Sequence, residues 1–153
     1  MEAVIFVGVQ GSGKSSFYRE RFLNTHVHVS LDEARTRQRE RDLVTKCLQE
    51  RRPFVVDNTN PTAADRGRYI GAAREAGFRV VAYFFETPLR DAIRRNSQRT
   101  GKQRIPVPAV AATFRKLQAP TLNEGFHALY TVTISPEQSF TVTLHSRKSS
   151  EEN

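Results

Sequence analysis

The sequence predicts an α/β fold with three layers, α/β/α, and a mostly parallel central sheet. The first observation is an alternation along the chain, in which segments typical of strands are separated by segments with helical spacing. The second is the segment 2–7, which is apolar on both faces after its first residue, as a central parallel strand is when helices cover both sides. Right-handed crossovers between such strands place the intervening helices on the sheet.

The first part of the chain is predicted to hold three strands and two helices. Ser30 and Glu33 have the spacing of a capping box, so one long helix is expected to follow and to end before Pro53. The predicted elements are, in order, strand 2–7, helix 14–23, strand 26–29, the helix that follows Ser30, and strand 54–57.

The second part continues the alternation and ends in a hairpin. Thr62 can cap a helix that ends at Gly77, and Thr100 with Gly101 breaks a later helix before a basic loop. The predicted elements are helix 62–77, strand 78–86, helix 88–99, helix 109–117, strand 126–134, and a strand at 140–144 that pairs with it. We expect a single domain over residues 1–146 and a frayed tail at 147–153.

Composition limits the class of protein. In 153 residues Cys47 is the only cysteine, so no internal disulfide can form, and its helical spacing with apolar neighbours places it in the core. No run approaches the ~20 apolar residues of a membrane span, and the first residues lead into a strand instead of a signal peptide. These features predict an intracellular protein, cytoplasmic or nuclear, that is not secreted and has no membrane partner.

The formal net charge of +8 is unevenly distributed. Charge alone does not establish a nucleic-acid partner, but two basic clusters are distinct. The first cluster contains Arg35, Arg37, Arg39 and Arg41; the second contains Arg90, Arg94, Arg95, Arg99, Lys102 and Arg104.

The strongest motif lies between the first predicted strand and helix. Residues 8–15 read G-V-Q-G-S-G-K-S, the G-x-x-x-x-G-K-S spacing of a phosphate-binding P-loop. Glycines let successive N–H groups turn inward, and the following helix adds its positive dipole end. We expect Lys14 to reach the β- and γ-phosphates of ATP, or of another nucleoside triphosphate, and Ser15 to ligate Mg²⁺. The predicted nucleotide-binding residues are Gly8, Gln10, Gly11, Ser12, Gly13, Lys14, Ser15 and Ser16.

Asp32 and Arg35 form a D-x-x-R pair just beyond the second predicted strand, at the sheet edge where ligands collect in open α/β folds. A carboxylate there can accept the proton of an attacking hydroxyl, and an arginine one turn later can hold an acceptor phosphate. The alternative is an acid that interacts with the helix dipole beside a solvated arginine. Position alone favours neither interpretation.

Asp57 ends the third predicted strand, where a Walker-B carboxylate holds Mg²⁺ or its water, although Asp57 and the polar residues after it could also serve only as a turn. His26 and His28 alternate on a strand without a third ligand at a recognisable spacing, so we interpret them as structural.

Arg95 and Arg99 lie four residues apart on one predicted helix, just before a loop that could close over the phosphates as a short basic lid. Cations there would stabilise the charge of a transferring phosphoryl group. A solvated basic face is the alternative.

With these motifs the chain resembles the 5′-OH polynucleotide kinases, over about residues 4–134. The downstream segments are similar to the kinase module of animal polynucleotide kinase-phosphatase. The segments that carry the resemblance are the P-loop, Asp32 with Arg35, V-D-N-T-N-P at 56–61, R-N-S-Q-R at 95–99, I-P-V-P at 105–108 and A-P-T-L-N-E-G-F at 119–126.

This resemblance implies a P-loop kinase-like fold and transfer of the γ-phosphate of ATP to a 5′-hydroxyl of DNA or RNA. It implies that Asp32 is the general base, that Arg35 contacts the acceptor phosphate, and that Arg95 and Arg99 belong to the lid. Ser30 and Leu31 depart from the family, whose members often have asparagine and arginine there. We see no phosphatase or ligase domain in the sequence, so we expect separate partners to supply those activities in nucleic-acid end repair.

Two other functions remain open at the level of sequence. A P-loop kinase of sugars, nucleosides or antibiotics needs no acceptor phosphate, and the first basic cluster would then be an exposed face. A slow ATPase or switch module would require Lys14 but not Asp32.

Overall fold

The structure is a computed structural model, and it describes residues 1–148. Its six strands are β1 (Glu2–Val7), β2 (Val27–Val29), β3 (Phe54–Val56), β4 (Arg79–Phe85), β5 (Ala128–Ile134) and β6 (Phe140–Arg147). They form one sheet in the order β2-β3-β1-β4-β5-β6, in which the first five strands are parallel and β6 is antiparallel to β5. The mostly parallel sheet and the final hairpin are therefore confirmed.

Six α-helices connect these strands. They are α1 (Lys14–Arg21), α2 (Leu31–Ala34), α3 (Arg37–Gln49), α4 (Ala63–Glu75), α5 (Leu89–Ser97) and α6 (Val107–Lys116). None of the helices in the described part of the chain is both long and apolar enough to cross a membrane.

Side chains of β1 alternate between two apolar layers, as the strand period of two requires. Ile5 packs with residues of α3 and α4, including Cys47, on one face of the sheet. Phe6 packs with Phe17 and Phe22, in and just after α1, on the other face. The predicted three-layer α/β/α fold is confirmed, and so is the prediction that Cys47 is a core residue, since it is 1% exposed. This arrangement places the carboxyl ends of β1, β2 and β3 together at one edge of the sheet.

The prediction of one long helix after Ser30 is wrong. The segment forms two helices, α2 and α3, which are separated at Arg35, whose φ of 72° lies in the left-handed region. The capping box is also absent, because the Ser30 side chain makes no cap hydrogen bond and Glu33 bonds to His28 instead. Thr36 caps α3 by accepting from the N–H of Arg39.

Two further predicted boundaries change. Arg95 and Arg99 were predicted to lie on one helix. Helix α5 ends at Ser97, so Arg99 lies beyond it and that prediction is wrong. Strand β6 runs into the predicted tail, 147–153, because Arg147 pairs with Ala128. Residues 149–153 of that tail lie outside the described residues. The prediction that Thr62 caps a helix is confirmed, since its side chain accepts from the N–H of Asp65.

Candidate active site

The glycine-rich turn between β1 and α1 is shaped by positions that only glycine fits. Gly11 and Gly13 have φ of 80° and 92°, in the left-handed region. A Cβ on Gly11 would collide with the carbonyl oxygen of Ala92, so the loop packs directly against the backbone of α5. The N–H of Gly8 donates to the carbonyl of Thr59 at 3.0 Å, which joins the loop to the segment after β3.

Lys14 is buried at the start of α1 with its ammonium group turned back into the loop. Its Nζ donates to the carbonyl oxygens of Gly8 at 2.9 Å and Val9 at 2.7 Å, and lies 3.4 Å from the Oγ of the buried Ser12. The ammonium donors that the motif predicts for phosphate oxygens are therefore directed to neutral oxygens of the loop.

The electrostatic surroundings of Lys14 identify the charged groups nearest to it. The pKa of Lys14 is lowered from 10.5 to about 8, mainly by burial, while the carboxylates of Asp57 and Asp32 raise it and Arg99 lowers it. Three residues predicted from separate motifs therefore contribute to the electrostatic surroundings of one ammonium group.

Asp57 lies directly after β3 and joins the P-loop to β2. Its Oδ2 accepts from the Oγ of Ser15 and from the Nε2 of His28, each at 2.8 Å. Burial alone would raise the pKa of Asp57, but the bond from His28, the charge of Lys14 and the bond from Ser15 outweigh it and lower the pKa. The carboxylate is therefore charged at neutral pH.

The two histidines have different surroundings. His26 bonds to Glu2 at 2.7 Å, at the opposite edge of the sheet from the P-loop. His28 bonds to Asp57 and, through Nδ1, to Glu33 at 2.8 Å, so it is part of the candidate site. Within residues 1–148, no group of three or more His, Cys, Asp or Glu side chains is arranged to hold a metal ion.

The predicted acceptor residues lie on and just after α2. Asp32 is exposed in the first turn of this helix, and Arg35 is exposed at its left-handed end. The N–H of Leu31 donates to the Oδ1 of Asn58 at 2.9 Å, so the cap of this helix comes from another part of the chain. Asp32 therefore lies on a turn that is bonded to Asn58, the residue after Asp57.

The side chain of Asn58 is itself held by a buried carboxylate that the sequence analysis missed. Its Nδ2 donates to the Oε2 of Glu40 at 2.7 Å, and the Oε1 of Glu40 accepts from Tyr69 at 2.8 Å and from Arg37 at 3.0 Å. Glu40 is 3% exposed. In the sequence Glu40 lies between two arginines on a polar helix. A solvent-exposed glutamate has the same local pattern, so the sequence alone could not show that Glu40 is buried.

The two predicted lid arginines point to different partners. Arg95 donates to the Oε1 of Gln138 at 2.8 Å, and its buried Nε has no hydrogen-bond partner among residues 1–148. Arg99 acts on the charge of Lys14, as described above. The buried Asn96 exchanges two hydrogen bonds with the backbone of Ile105, and this closes the base of the basic loop between them.

A cavity of about 660 Å³ opens between the ends of β4 and β5 and helices α5 and α6. Its lining includes Phe85, Pro88, Phe114 and Ile134 together with Arg95. Ile134 also borders the P-loop, since a Cβ on Gly13 would lie 2.6 Å from its Cδ1. The cavity is therefore an apolar space beside the phosphate-binding loop.

The other two predicted nucleotide-binding residues make contacts within the protein. Gln10 is half-buried and donates to the hydroxyl of Thr113 in α6 at 3.3 Å. Ser16 is exposed and accepts from Arg19 at 3.2 Å. The structure thus brings together the P-loop, Asp32, Asp57 and Arg99, while Arg95 faces the cavity.

Comparison with curated proteins finds two relatives. The chain is 32% identical over 139 residues to a putative bifunctional polynucleotide phosphatase/kinase of Acanthamoeba polyphaga mimivirus, covering 86% of this chain and 33% of that protein. It is 26% identical over 138 residues to the bifunctional polynucleotide phosphatase/kinase of Schizosaccharomyces pombe, covering 82% of this chain and 32% of that protein. The chain therefore spans about a third of the length of the curated relatives it matches.

Comparison with solved structures identifies the same fold in a small-molecule kinase. A gluconokinase from Sinorhizobium meliloti 1021 is similar with a TM-score of 0.62 and 18% identity, over 86% of this chain and 82% of that chain. This likeness shows the fold, which is that of a P-loop kinase.

A family model described as an AAA domain matches residues 31–121. That segment holds α2, the end of β3 and residues 95–99, while the P-loop at residues 8–15 lies outside it. Since the match spans more than half of the 153 residues, the chain belongs to this family of AAA domains and has the fold of a P-loop kinase.

Proposed function

We propose that this protein is an ATP-dependent kinase that transfers the γ-phosphate to the 5′-hydroxyl of DNA or RNA. The observation that carries the proposal is a link between two parts of the site. Asp57 bonds to Ser15 of the P-loop, and the next residue, Asn58, bonds to the backbone of α2, which carries Asp32. This link supports a base for an acceptor beside a cation for a donor, the arrangement that phosphoryl transfer requires.

In the proposed reaction Asp32 accepts the proton of the 5′-hydroxyl as its oxygen attacks the γ-phosphorus. The bond from that phosphorus to the β,γ-bridging oxygen breaks, and ADP leaves. Lys14 would turn from the loop carbonyls to the phosphate oxygens, and Arg99 would stabilise charge on the transferred group. Arg95, whose Nε is buried without a described partner, would lie against the nucleotide in the adjoining cavity.

The residues present fit a magnesium ion. The Ser15 hydroxyl and the Asp57 carboxylate offer hard oxygens 2.8 Å apart, close to the ~2.9 Å between adjacent ligands of an octahedral Mg²⁺ with bonds of ~2.0–2.1 Å. Ser15 and Asp57 would hold Mg²⁺, which when bound would supply positive charge against that of the phosphates.

A polynucleotide acceptor is supported by the names of both curated relatives and by the position of Arg35. Both relatives are named polynucleotide phosphatase/kinases. Arg35 is exposed one turn from Asp32, where its guanidinium can bind a backbone phosphate of the acceptor.

A small-molecule acceptor is the second candidate, and the first basic cluster favours it in one respect. Arg37 is bonded to Glu40 and Tyr69, and Arg41 is bonded to Gln38, so two of its four arginines already have partners within the chain. Fewer guanidinium groups are then free for a phosphate backbone.

Labelled transfer assays separate the two candidates. The protein is incubated with γ-³²P-ATP and a 5′-OH oligonucleotide, as DNA, as RNA and as a duplex end, beside gluconate and nucleosides. The same oligonucleotide with a 5′-phosphate is the matched control, because it has no acceptor. Label on the 5′-OH oligonucleotide alone supports the proposal; label only on a small molecule contradicts it.

A further inference from the structure

Helix α2, which carries Asp32, lacks the interactions that normally stabilise a helix. It is a single turn of four residues, and its N-cap residue Ser30 contributes no side-chain hydrogen bond. It ends at Arg35, which has a left-handed φ of 72° that L-residues with a large side chain rarely adopt. An isolated turn of this length is not stable in water. Contacts from elsewhere in the chain must therefore hold it in place.

Asn58 provides one such contact and its orientation is determined by charge. The carboxylate of Glu40 can only accept hydrogen bonds, so the Nδ2 of Asn58 must face it, at 2.7 Å. The Oδ1 of Asn58 is then directed to the N–H of Leu31, at 2.9 Å. The buried carboxylate thus fixes the side-chain amide in the orientation that caps α2.

Glu40 is in turn anchored by its own helix and by one other helix. Arg37 of its own helix α3 and Tyr69 of α4 both donate to its Oε1. Burial, together with Glu40, raises the pKa of Tyr69 to about 12, so its hydroxyl remains a donor. The cap of α2 is thereby connected to the apolar layer that covers one face of the sheet.

A second connection reaches α2 from β2. Glu33, next to Asp32, bonds to His28, which also bonds to Asp57. Asp57 and Asn58 are consecutive: the first faces Ser15 of the P-loop and the second faces the backbone of α2. The two residues that follow β3 therefore set the distance between the P-loop and α2.

We propose that Asn58, oriented by Glu40, is a positioning residue that holds α2 and places Asp32 for proton transfer. The inference rests on the proposed function, in which Asp32 is the base. In this role Asn58 acts through the backbone of α2, by its bond to Leu31.

The test compares variants that remove, invert and restore the contact. Asn58→Ala removes the cap. Asn58→Asp keeps the acceptor for Leu31 but sets one carboxylate against another, and the double variant with Glu40→Gln restores a donor–acceptor pair of opposite polarity. Asn60→Gly is the matched control, because it deletes a buried amide of the same loop that bonds to the carbonyl of Phe6 instead of α2.

Two measurements are made well below the unfolding temperature of each variant. Amide hydrogen exchange reports on Leu31 and its neighbours in α2, and steady-state kinetics with a 5′-OH oligonucleotide reports on Asp32. We expect Asn58→Ala to speed exchange of Leu31 by ~10-fold or more and to lower kcat by ~10–100-fold, since a small displacement of a reacting group has costs of this size. KM for ATP should stay within about twofold, because the P-loop is intact.

The double variant should recover both exchange protection and kcat relative to Asn58→Asp, and Asn60→Gly should leave α2 exchange unchanged. Unchanged exchange of Leu31 in Asn58→Ala overturns the inference, as does faster exchange with full kcat. A wild-type protein that labels no 5′-hydroxyl contradicts the proposed function alone, and the exchange of Leu31 then still decides whether Asn58 anchors α2.

Discussion

The donor and acceptor halves of the candidate site are built in different ways. The donor half is a continuous segment, from Gly8 to Ser15, whose loop follows the central strand β1 and whose lysine is buried. The acceptor half is an exposed single turn held by side chains of β2, the end of β3 and α3. The donor half is determined by adjacent residues, whereas the acceptor half depends on residues that only the fold brings together.

Because of this difference, we expect the two halves to respond differently to substitutions elsewhere in the chain. The contacts of a P-loop to phosphate come largely from its own backbone, so they lie within one continuous segment. The acceptor turn depends on Asn58, Glu40 and His28, so a change in any of them alters the placement of Asp32. Asn58 and Glu40 make no described bond to the P-loop, whereas His28 also bonds to Asp57, so we expect changes at Asn58 or Glu40 to affect nucleotide binding least.

The largest predicted effect tests whether the two halves are independent. Asp32→Asn should lower transfer to the acceptor by ~10³-fold, or about 4 kcal/mol of barrier, with ATP affinity retained, because only the acceptor proton loses its base. Lys14→Ala should weaken ATP binding and transfer together. Isothermal titration with ATP and initial rates of transfer measure the two quantities.

The matched control is His26→Ala. This residue lies on the same stretch of chain as His28, but it bonds to Glu2 at the other edge of the sheet. Full activity is expected. Loss of ATP affinity in Asp32→Asn would show that the halves are one unit and would contradict the comparison.

The sequence predicted the donor half because its information is local. Glycine at left-handed positions 11 and 13, followed by lysine and serine, has a physical reason that can be seen without the fold. The order of strands and helices was predictable for the same reason, since each depends on a period within one segment.

The sequence could not predict how the acceptor turn is held. Glu40 lies 18 residues from its partner Asn58, and the cap on Leu31 comes from 27 residues away. Ser30 and Glu33 matched a local capping pattern, but the bond from Glu33 to His28 and the break at Arg35 replaced it. Tertiary contacts overrode a local preference that is weak by comparison.

A smaller expected effect is a pH dependence of ATP affinity that follows from the burial of Lys14 and that an exposed lysine would not show. Since the pKa of Lys14 is about 8 in the nucleotide-free protein, its ammonium loses the proton as pH rises through that value. The affinity for ATP should therefore fall above pH 8, by at most about tenfold per pH unit. Titration calorimetry between pH 7 and pH 9.5 measures the change.

Lys14→Arg is the control for this prediction, because a guanidinium remains charged over that range. Its affinity for ATP should be lower than that of the wild type at pH 7 but independent of pH. A wild-type affinity that is equally flat to pH 9.5 would show that Lys14 is not the group whose charge limits binding.

The smallest effects separate the two roles of Arg35, one in the backbone and one in the guanidinium. Arg35→Gly and Arg35→Ala both remove the guanidinium, so each should reduce the salt dependence of single-strand binding by about 0.7 in slope, the contribution of one phosphate contact. Only glycine adopts a φ of 72° without strain, so Arg35→Gly should be about 1 kcal/mol more stable than Arg35→Ala in chemical denaturation. Equal stabilities would contradict the left-handed end of α2. An unchanged slope in both variants would instead show that Arg35 contacts no acceptor phosphate and would favour a small-molecule acceptor. The stability difference does not affect this conclusion, because the slope measures the phosphate contact and denaturation measures the backbone conformation.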